Sequence, residues 1–196
     1  MKNLIAVLCL SLMTLLPAAK AEARVTFDLD SNVLWIDGAT STESWRRIKD
    51  VLDENKPKYI MMEGPGGSFY AGLAIGDLIK GYHVVITGKC VSSCAISAMS
   101  ASEVSFLNEA ALLFHGPFIP TVPITVTLEE YSSFIVGGWI DLVVYMNKNG
   151  VSPSFVRFLS SNTSTCKLAV VQTQEELDML KEDQYPNLTY ADFCQK

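Results

Sequence analysis

The chain has 196 residues, of which 49% are hydrophobic and 18% are charged. A chain of this length and composition can bury a core of ordinary size, which excludes disordered, collagen-like and coiled-coil proteins. The formal net charge is −6, and no run of Lys or Arg could follow a phosphate backbone, so we expect no nucleic-acid partner.

The first 23 residues have the pattern of a secretory signal peptide. Lys2 supplies a positive charge, residues 4–16 form a nearly uncharged apolar stretch, and small residues follow at a cleavage site. The apolar stretch is too short for a membrane span of about 20 residues. We therefore predict an exported protein, periplasmic or secreted, with one domain over residues 24–196 and no stable membrane anchor after cleavage.

Cleavage of the signal peptide removes Cys9 and leaves four cysteines, an even number that suggests disulfides in an oxidising compartment. Three pairings are open, and we favour Cys90 with Cys94 and Cys166 with Cys194. The first bond requires Cys90 to precede a helix, because residues four apart within a helix are too distant at Cβ. Zinc is the alternative use, but a matching second pair and a nearby His are lacking.

The first predicted elements are a hairpin and a helix. Residues 24–29 and 33–36 flank a polar turn and predict two short antiparallel strands. Thr40 and Glu43 form a capping box, and apolar residues then repeat at helical spacing to about residue 54.

Strands and helices alternate in the middle of the chain. Residues 58–62 predict a strand cut off by the glycine-rich segment 64–67, and a helix follows from residue 70 until Gly81 ends it. The next predicted elements are a strand at 83–87, a turn at 88–92, a small-residue helix at 94–100, and strands at 103–107 and 111–114. This order predicts an α/β fold with a mostly parallel sheet, whose ligands bind beyond the carboxyl ends of the strands.

The last third of the chain predicts two helices and a late strand-to-helix step. A long apolar helix covers residues 128–147 and is interrupted at Gly137 and Gly138, and a short helix opens after Ser152. A strand near residue 170 then leads into a helix that is capped near Thr173.

A general base of the imidazole type must be one of two histidines. His83 opens a strand at its amino end, which is the wrong end of a parallel strand for catalysis. His115 stands where the strand 111–114 runs out into a loop. A histidine there is more often structural, so a catalytic role needs a nucleophile and an anion-binding group nearby.

Candidate nucleophiles cluster in residues 88–95. A serine on a strand-to-helix turn, Ser92 or Ser93, presents its hydroxyl beside backbone N–H groups and the positive end of the helix, which can stabilise an oxyanion. A plain helix cap is the alternative, and the turn taken alone favours the cap. A thiolate of Cys90 or Cys94 is a further alternative that an oxidising compartment disfavours.

Three stretches resemble the Clp protease proteolytic subunit and its relatives in the ClpP/crotonase superfamily, especially the exported ClpP-like proteins of bacteria. They are EGPGGSFYAGLAIGD at 63–77, GKCVSSCA at 88–95 and LLFHGP at 112–117. The family has the same order of motifs: a glycine loop, then a serine turn, then a histidine. Here the histidine, His115, follows Ser92 by 23 residues. The resemblance is specific over residues 57–118. It implies a spiral of ββα units with crossover helices and a long helix after the strand that bears the histidine.

The resemblance also implies the roles of individual residues. Ser92 becomes the nucleophile and His115 the general base, while the backbone N–H groups of Gly67 and Ser93 form the oxyanion hole. The implied substrate is a peptide or protein, with no cofactor and no metal. Members of the family assemble through the long helix into rings or trimers, and the absence of ATP outside the cytoplasm argues against an ATP-driven unfoldase.

The chain departs from the family at the third member of the triad. The family has an Asp after the long helix, and the corresponding residues 150–162 contain neither Asp nor Glu. Ser160, Ser161 or Asn162 then remains to orient His115 by a neutral hydrogen bond, or the histidine acts in a dyad. Two hypotheses follow: an exported serine hydrolase, or a catalytically inactive binding or assembly module.

Overall fold

The structure is a computed structural model that describes residues 23–116, 127–164, 166–182, 184 and 189–192. The predicted signal peptide lies outside the described residues, apart from Ala23. Eight strands in one mixed sheet and six helices are found in the described part of the chain, which confirms the α/β class. None of the described helices is long and apolar enough to cross a membrane.

The bounds of the elements are as follows. The strands are β1 Arg24–Asp28, β2 Val33–Thr40, β3 Tyr59–Gly67, β4 His83–Val91, β5 Glu103–Phe106, β6 Ala111–Phe114, β7 Lys167–Val171 and β8 Thr189–Asp192. The helices are α1 Thr42–Glu54, α2 Phe69–Ile79, α3 Ser93–Ala98, α4 Leu128–Lys148, α5 Pro153–Asn162 and α6 Gln174–Lys181.

The central strands of the sheet are parallel and the outer ones antiparallel. The order is β1-β2-β3-β4-β6-β7-β8, with β5 beside β4. The pairs β2–β3, β3–β4, β4–β5 and β4–β6 are parallel, whereas β1–β2, β6–β7 and β7–β8 are antiparallel. β5 and β6 share one edge of β4, β5 on its amino half and β6 on its carboxyl half.

One face of the sheet carries the main core, because buried residues alternate along β2, β3 and much of β4 with half-buried or exposed ones. β6 and β7 also contribute to a second, smaller cluster of buried residues, which contains Ala111, Leu113, Leu168 and Val170. Trp35, which points to the other face of β2, is 42% exposed. The helices contribute Ile48, Ile75 and Ile96 to the core. The strand residues in the core are all 5% exposed or less and include Leu34, Ile36, Ile60, Met62, Val84 and Ile86.

Two strands are longer than their sequence predicts. β3 continues through the glycine-rich segment to Gly67, and β4 continues through the predicted turn to Val91. β4 extends because residues 89–91 pair with β6. β3 extends because β2 approaches it closely: a Cβ on Gly64 would lie 2.1 Å from the carbonyl oxygen of Gly38 in β2. Glycine therefore permits strand contact at this position.

Helices α2 and α4 run side by side in matched register. The Tyr70 hydroxyl donates to Asp141 at 3.0 Å, and Lys148 contacts Asp77 at 3.0 Å. Both contacts join residues 71 positions apart in the sequence, so the two helices are parallel. Gly137 and Gly138 lie inside α4, which the structure shows as continuous, contrary to the predicted interruption.

The contact between α2 and α3 depends on Gly72. A Cβ at this position would lie 2.7 Å from the Cβ and 2.8 Å from the carbonyl oxygen of Ser93. We predict that Gly72→Ala lowers the free energy of unfolding by about 1–3 kcal/mol, as measured by urea denaturation, because the two helices must separate.

Gly137→Ala is the matched control, because a Cβ at Gly137 meets nothing within 4 Å. That change should leave the stability unaltered or raise it by up to about 1 kcal/mol, since Ala is the better helix former. Equal effects of the two substitutions would contradict the close packing of α2 on α3.

Candidate active site

The backbone of Ser92 turns sharply between β4 and α3. Its φ and ψ angles are 58° and −122°, a conformation that costs a residue with a side chain about 1–3 kcal/mol. Asn32 and Glu109 also have positive φ among the described non-glycine residues, but both are exposed loop positions. Ser92 is half-buried at the carboxyl edge of the sheet. A strained strand-to-helix turn that presents a serine is the geometry of a nucleophile elbow.

Ser92 does not act as an ordinary helix cap. The other five described helices have extended Ser or Thr caps, and each cap side chain accepts a hydrogen bond from a backbone N–H of its helix. The Ser92 side chain makes no such bond. The sequence left open whether Ser92 is a helix cap or a nucleophile. The missing capping bond argues against the role of a cap.

The glycine loop packs directly on this elbow. A Cβ on Gly66 would lie 2.8 Å from the Cβ of Ser92 and 3.2 Å from the backbone nitrogen of Ser93. Gly66 has a φ of 81°, and Gly67, which follows it, is exposed with a φ of 150°. Ser93 is the first residue of α3, where backbone N–H groups lack partners within the helix.

The hydroxyl of Ser93 faces away from solvent. The residue is 1% exposed, and its Cβ packs against Gly72 of α2. In the described part of the chain its Oγ has no hydrogen-bond partner. Of the two adjacent serines, Ser92 is the one whose position is open enough to meet a substrate.

His115 lies directly after β6 and is 7% exposed. Its Nδ1 is 2.6 Å from the carbonyl oxygen of Gly116. A carbonyl oxygen can only accept, so this contact assigns the proton to Nδ1 and leaves the lone pair on Nε2. Burial lowers the pKa of His115 below its ordinary value, and the hydrogen bond to Gly116 partly opposes that effect. Burial therefore favours the neutral form of His115, and in that form the Gly116 contact places the ring proton on Nδ1.

The sheet brings the two loops together. Val91 of β4 pairs with Leu113 of β6 in parallel register, and the Ser92 amide donates to the Leu113 carbonyl at 2.8 Å. Ser92 is one residue beyond the pair and His115 is two residues beyond it. Both therefore emerge from adjacent strands at the same edge.

Two of the three residues predicted to orient His115 donate hydrogen bonds to backbone carbonyls. Ser160 donates to the carbonyl of Arg157 at 2.8 Å, and Asn162 donates to the carbonyl of Phe158 at 2.9 Å, both within α5. Ser161 is exposed. The orienting bond that the structure does show comes from the carbonyl of Gly116, a backbone group that no side-chain pattern in the sequence could indicate.

Trp139 fixes the loop that carries this carbonyl. A Cβ on Gly116 would lie 2.0 Å from the indole ring of Trp139 in α4. Any larger residue at position 116 would therefore displace either the ring or the loop. The position of α4 therefore affects the loop after His115 through the contact between Trp139 and Gly116.

His83 belongs to a separate group of polar side chains. Its Nε2 is 2.7 Å from the hydroxyl of Ser105, and its Nδ1 is 3.5 Å from the carboxylate of Glu103. Ser105 lies within the regular strand β5 and not on a strand-to-helix turn, and it lines a pocket together with Thr173 and Gln174 at the start of α6. This hydroxyl–imidazole–carboxylate group was missed in the sequence because only strand pairing reveals it.

The cysteines are bonded as far as the structure describes them. Cys90 and Cys94 form a disulfide, which confirms that predicted pairing. Cys166 is also disulfide-bonded, whereas Cys194 lies outside the described residues. Within the described ranges no group of three His, Cys, Asp or Glu residues could hold a metal ion.

No protein-family model matches the chain, and no curated protein matches it either.

The burial of His115 leads to a titration prediction. We expect its ring-proton NMR resonances to titrate with a midpoint below the ordinary 6.5, because burial disfavours the imidazolium ion. The chain has two histidines, so the spectrum of His83→Gln assigns the remaining signal.

The same shift links His115 to stability. The unfolded chain binds the proton more tightly, so the stability contributed by neutral His115 is complete above pH 6.5 and is lost as the pH falls toward the lower folded-state pKa. His115→Gln should remove this part of the pH dependence of unfolding. A midpoint at or above 6.5 would contradict the buried, neutral imidazole.

Proposed function

We propose that this chain is an exported serine hydrolase, a peptidase, with Ser92 as nucleophile and His115 as general base. The observation that carries the proposal is the elbow at Ser92, which has a positive φ, makes no capping bond, and lies beside the strand that bears His115. A neutral histidine with its lone pair on Nε2 completes the pair of groups that the chemistry needs.

The chemistry follows from these two side chains. The Ser92 Oγ attacks the carbonyl carbon of a peptide bond while His115 Nε2 takes the hydroxyl proton. The tetrahedral oxyanion accepts hydrogen bonds from the backbone N–H groups of Ser93 and Gly67. The imidazolium then gives its proton to the leaving amine, and an acyl-enzyme remains. His115 activates a water molecule in the same way to release the carboxylic acid and restore Ser92.

The orienting group sets the strength of the base. The Gly116 carbonyl holds the ring through Nδ1, but it carries a partial rather than a full negative charge. It therefore stabilises the imidazolium less than the carboxylate of a full triad would. Burial of His115 acts in the same direction. We expect slower turnover than in a triad enzyme, with the oxyanion hole supplying much of the rate.

The proposal also covers the family, the location and the substrate of the protein. The order of glycine loop, elbow and histidine supports membership of the ClpP/crotonase superfamily and its spiral of ββα units. The Cys90–Cys94 disulfide and the pattern of the first 23 residues support a periplasmic or secreted location. The substrate is then a peptide or an already unfolded protein segment, cleaved without an ATP-driven partner and without a cofactor.

A binding or assembly module is the second candidate, and one feature of α4 favours it. Val136, Ile140 and Val144 stand four residues apart on one face of the helix and are 58%, 58% and 62% exposed. Such a stripe fits contact with other subunits, and light scattering of the purified protein measures whether they assemble. Assembly is compatible with either candidate, so labelling of the serine discriminates between them.

The experiment is covalent labelling of the mature protein with a fluorophosphonate probe. We expect Ser92 Oγ to displace fluoride at phosphorus, and mass spectrometry to place the adduct on Ser92. His115→Gln should slow labelling by about 10²–10⁴-fold, because the base that takes the serine proton is lost.

Ser105→Ala is the matched control, because it removes the hydroxyl that contacts the other histidine. It should label like the wild type, whereas Ser92→Ala should not label at all. A folded wild-type protein that remains unlabelled, under conditions that label a known serine hydrolase, would overturn the hydrolase and leave the binding module.

A further inference from the structure

The one disulfide whose two cysteines both lie in the described residues encloses the proposed nucleophile. Cys90 is the second-last residue of β4, Cys94 is the second residue of α3, and Ser92 lies midway between them. The two Cα atoms are 5.2 Å apart over a sequence separation of 4. Cys90 is 0% and Cys94 1% exposed, so the bond lies in the main core.

This covalent link excludes a fully extended backbone between β4 and α3. An extended segment spanning four residues would separate the two Cα atoms by about 13–14 Å. A disulfide requires a separation of about 4.4–6.8 Å. With the bond in place, Ser92 cannot lie on a fully extended path between strand and helix, and the chain must turn within three residues.

Besides its packing against Gly66, the elbow is held by two backbone hydrogen bonds of Ser92. The Ser92 amide donates to Leu113, and the Ser92 carbonyl accepts from the Ile96 amide at 3.0 Å. The side chain makes no capping bond that could offset the strained backbone. These two backbone bonds constrain the ends of the turn, while the disulfide constrains the separation of the strand from the helix.

The loop that the Cys90–Cys94 disulfide closes is too short for the bond to act mainly by stabilising the whole fold. The entropy that a disulfide removes from the unfolded chain increases with the length of the loop it closes, and this loop is among the shortest that can form. Its main effect is therefore local. A catalytic thiolate is also excluded for these two cysteines, because both sulfur atoms are bonded and buried.

We propose that the Cys90–Cys94 disulfide is a positioning device that holds Ser92 in the conformation needed for attack. The inference rests on the proposed function and adds a redox requirement to it. Without the bond, Ser92 relaxes toward the extended cap seen in the other helices, and its hydroxyl turns to the first backbone N–H groups of α3. The hydrolase then reaches its full rate only where the disulfide is maintained, which is an oxidising compartment.

The test compares fluorophosphonate labelling of the oxidised wild type with that of Cys90→Ala/Cys94→Ala. Labelling is followed over a range of probe concentrations, so that the maximal rate and the probe affinity are obtained separately. We expect the maximal rate to fall by about 10²-fold with little change in affinity, because a displacement of about 1 Å at the nucleophile has that effect. Cys166→Ala, which removes a disulfide remote from the elbow in sequence, should label like the wild type.

A second arm keeps both sulfur atoms, in case the double variant does not fold. The wild type is reduced with dithiothreitol under mild denaturation, which converts the disulfide to two thiols and the reagent to its cyclic disulfide. After removal of the denaturant the reduced protein should label slowly, and reoxidation should restore the rate. Circular dichroism shows whether each sample is folded.

The outcomes separate the two claims. If the oxidised wild type does not label at Ser92, the proposed function fails and this inference fails with it. If the oxidised wild type labels, and the folded double variant or the folded reduced protein labels at the same maximal rate, the positioning role alone is overturned.

Discussion

The hydrogen bond from the Ser92 amide to the Leu113 carbonyl ties the turn after β4 to the strand that carries His115. Because it continues the parallel pairing of Val91 with Leu113, the register of two neighbouring strands determines where both side chains emerge. A shift of one residue in this register would break this hydrogen bond and displace the turn along β6. The candidate site therefore depends on a backbone contact more than on any contact between the functional groups.

Glycine makes the rest of the arrangement sterically feasible. Gly66 lets β3 approach the elbow from one side, and Gly72 lets α2 approach it from the other, at distances that a Cβ would not permit. Gly116 allows the ring of Trp139 to rest on the loop after the histidine. The approach of Gly66 places backbone rather than a bulky side chain against Ser92. The disulfide between Cys90 and Cys94 closes the same region covalently.

Much of this organisation follows from the sequence, and what does not follow has a physical cause. Apolar periodicity gave the hairpin, the helices and the strand before His115, because those signals are local. The extension of β3 through Gly64 was missed, since glycine also marks turns and only the closeness of β2 distinguishes the two. The capping box lies at Ser41 and Ser44 rather than one residue earlier, because Thr40 is still paired in β2. The bonds made by His83 and by His115 Nδ1 depend on strand pairing and on a backbone carbonyl, which residue types do not encode.

The site combines a strained serine with a buried histidine that contacts a carbonyl, and the proposed mechanism makes its reactivity depend on the proton on that histidine. The pH dependence of the maximal rate of Ser92 labelling tests this pairing most directly. The rate should increase with pH through a single ionisation below 6.5 that coincides with the NMR midpoint of His115, and the ionisation should vanish in His115→Gln. A rate that is independent of pH across that range, or an ionisation that survives the substitution, would show that the two side chains do not act together.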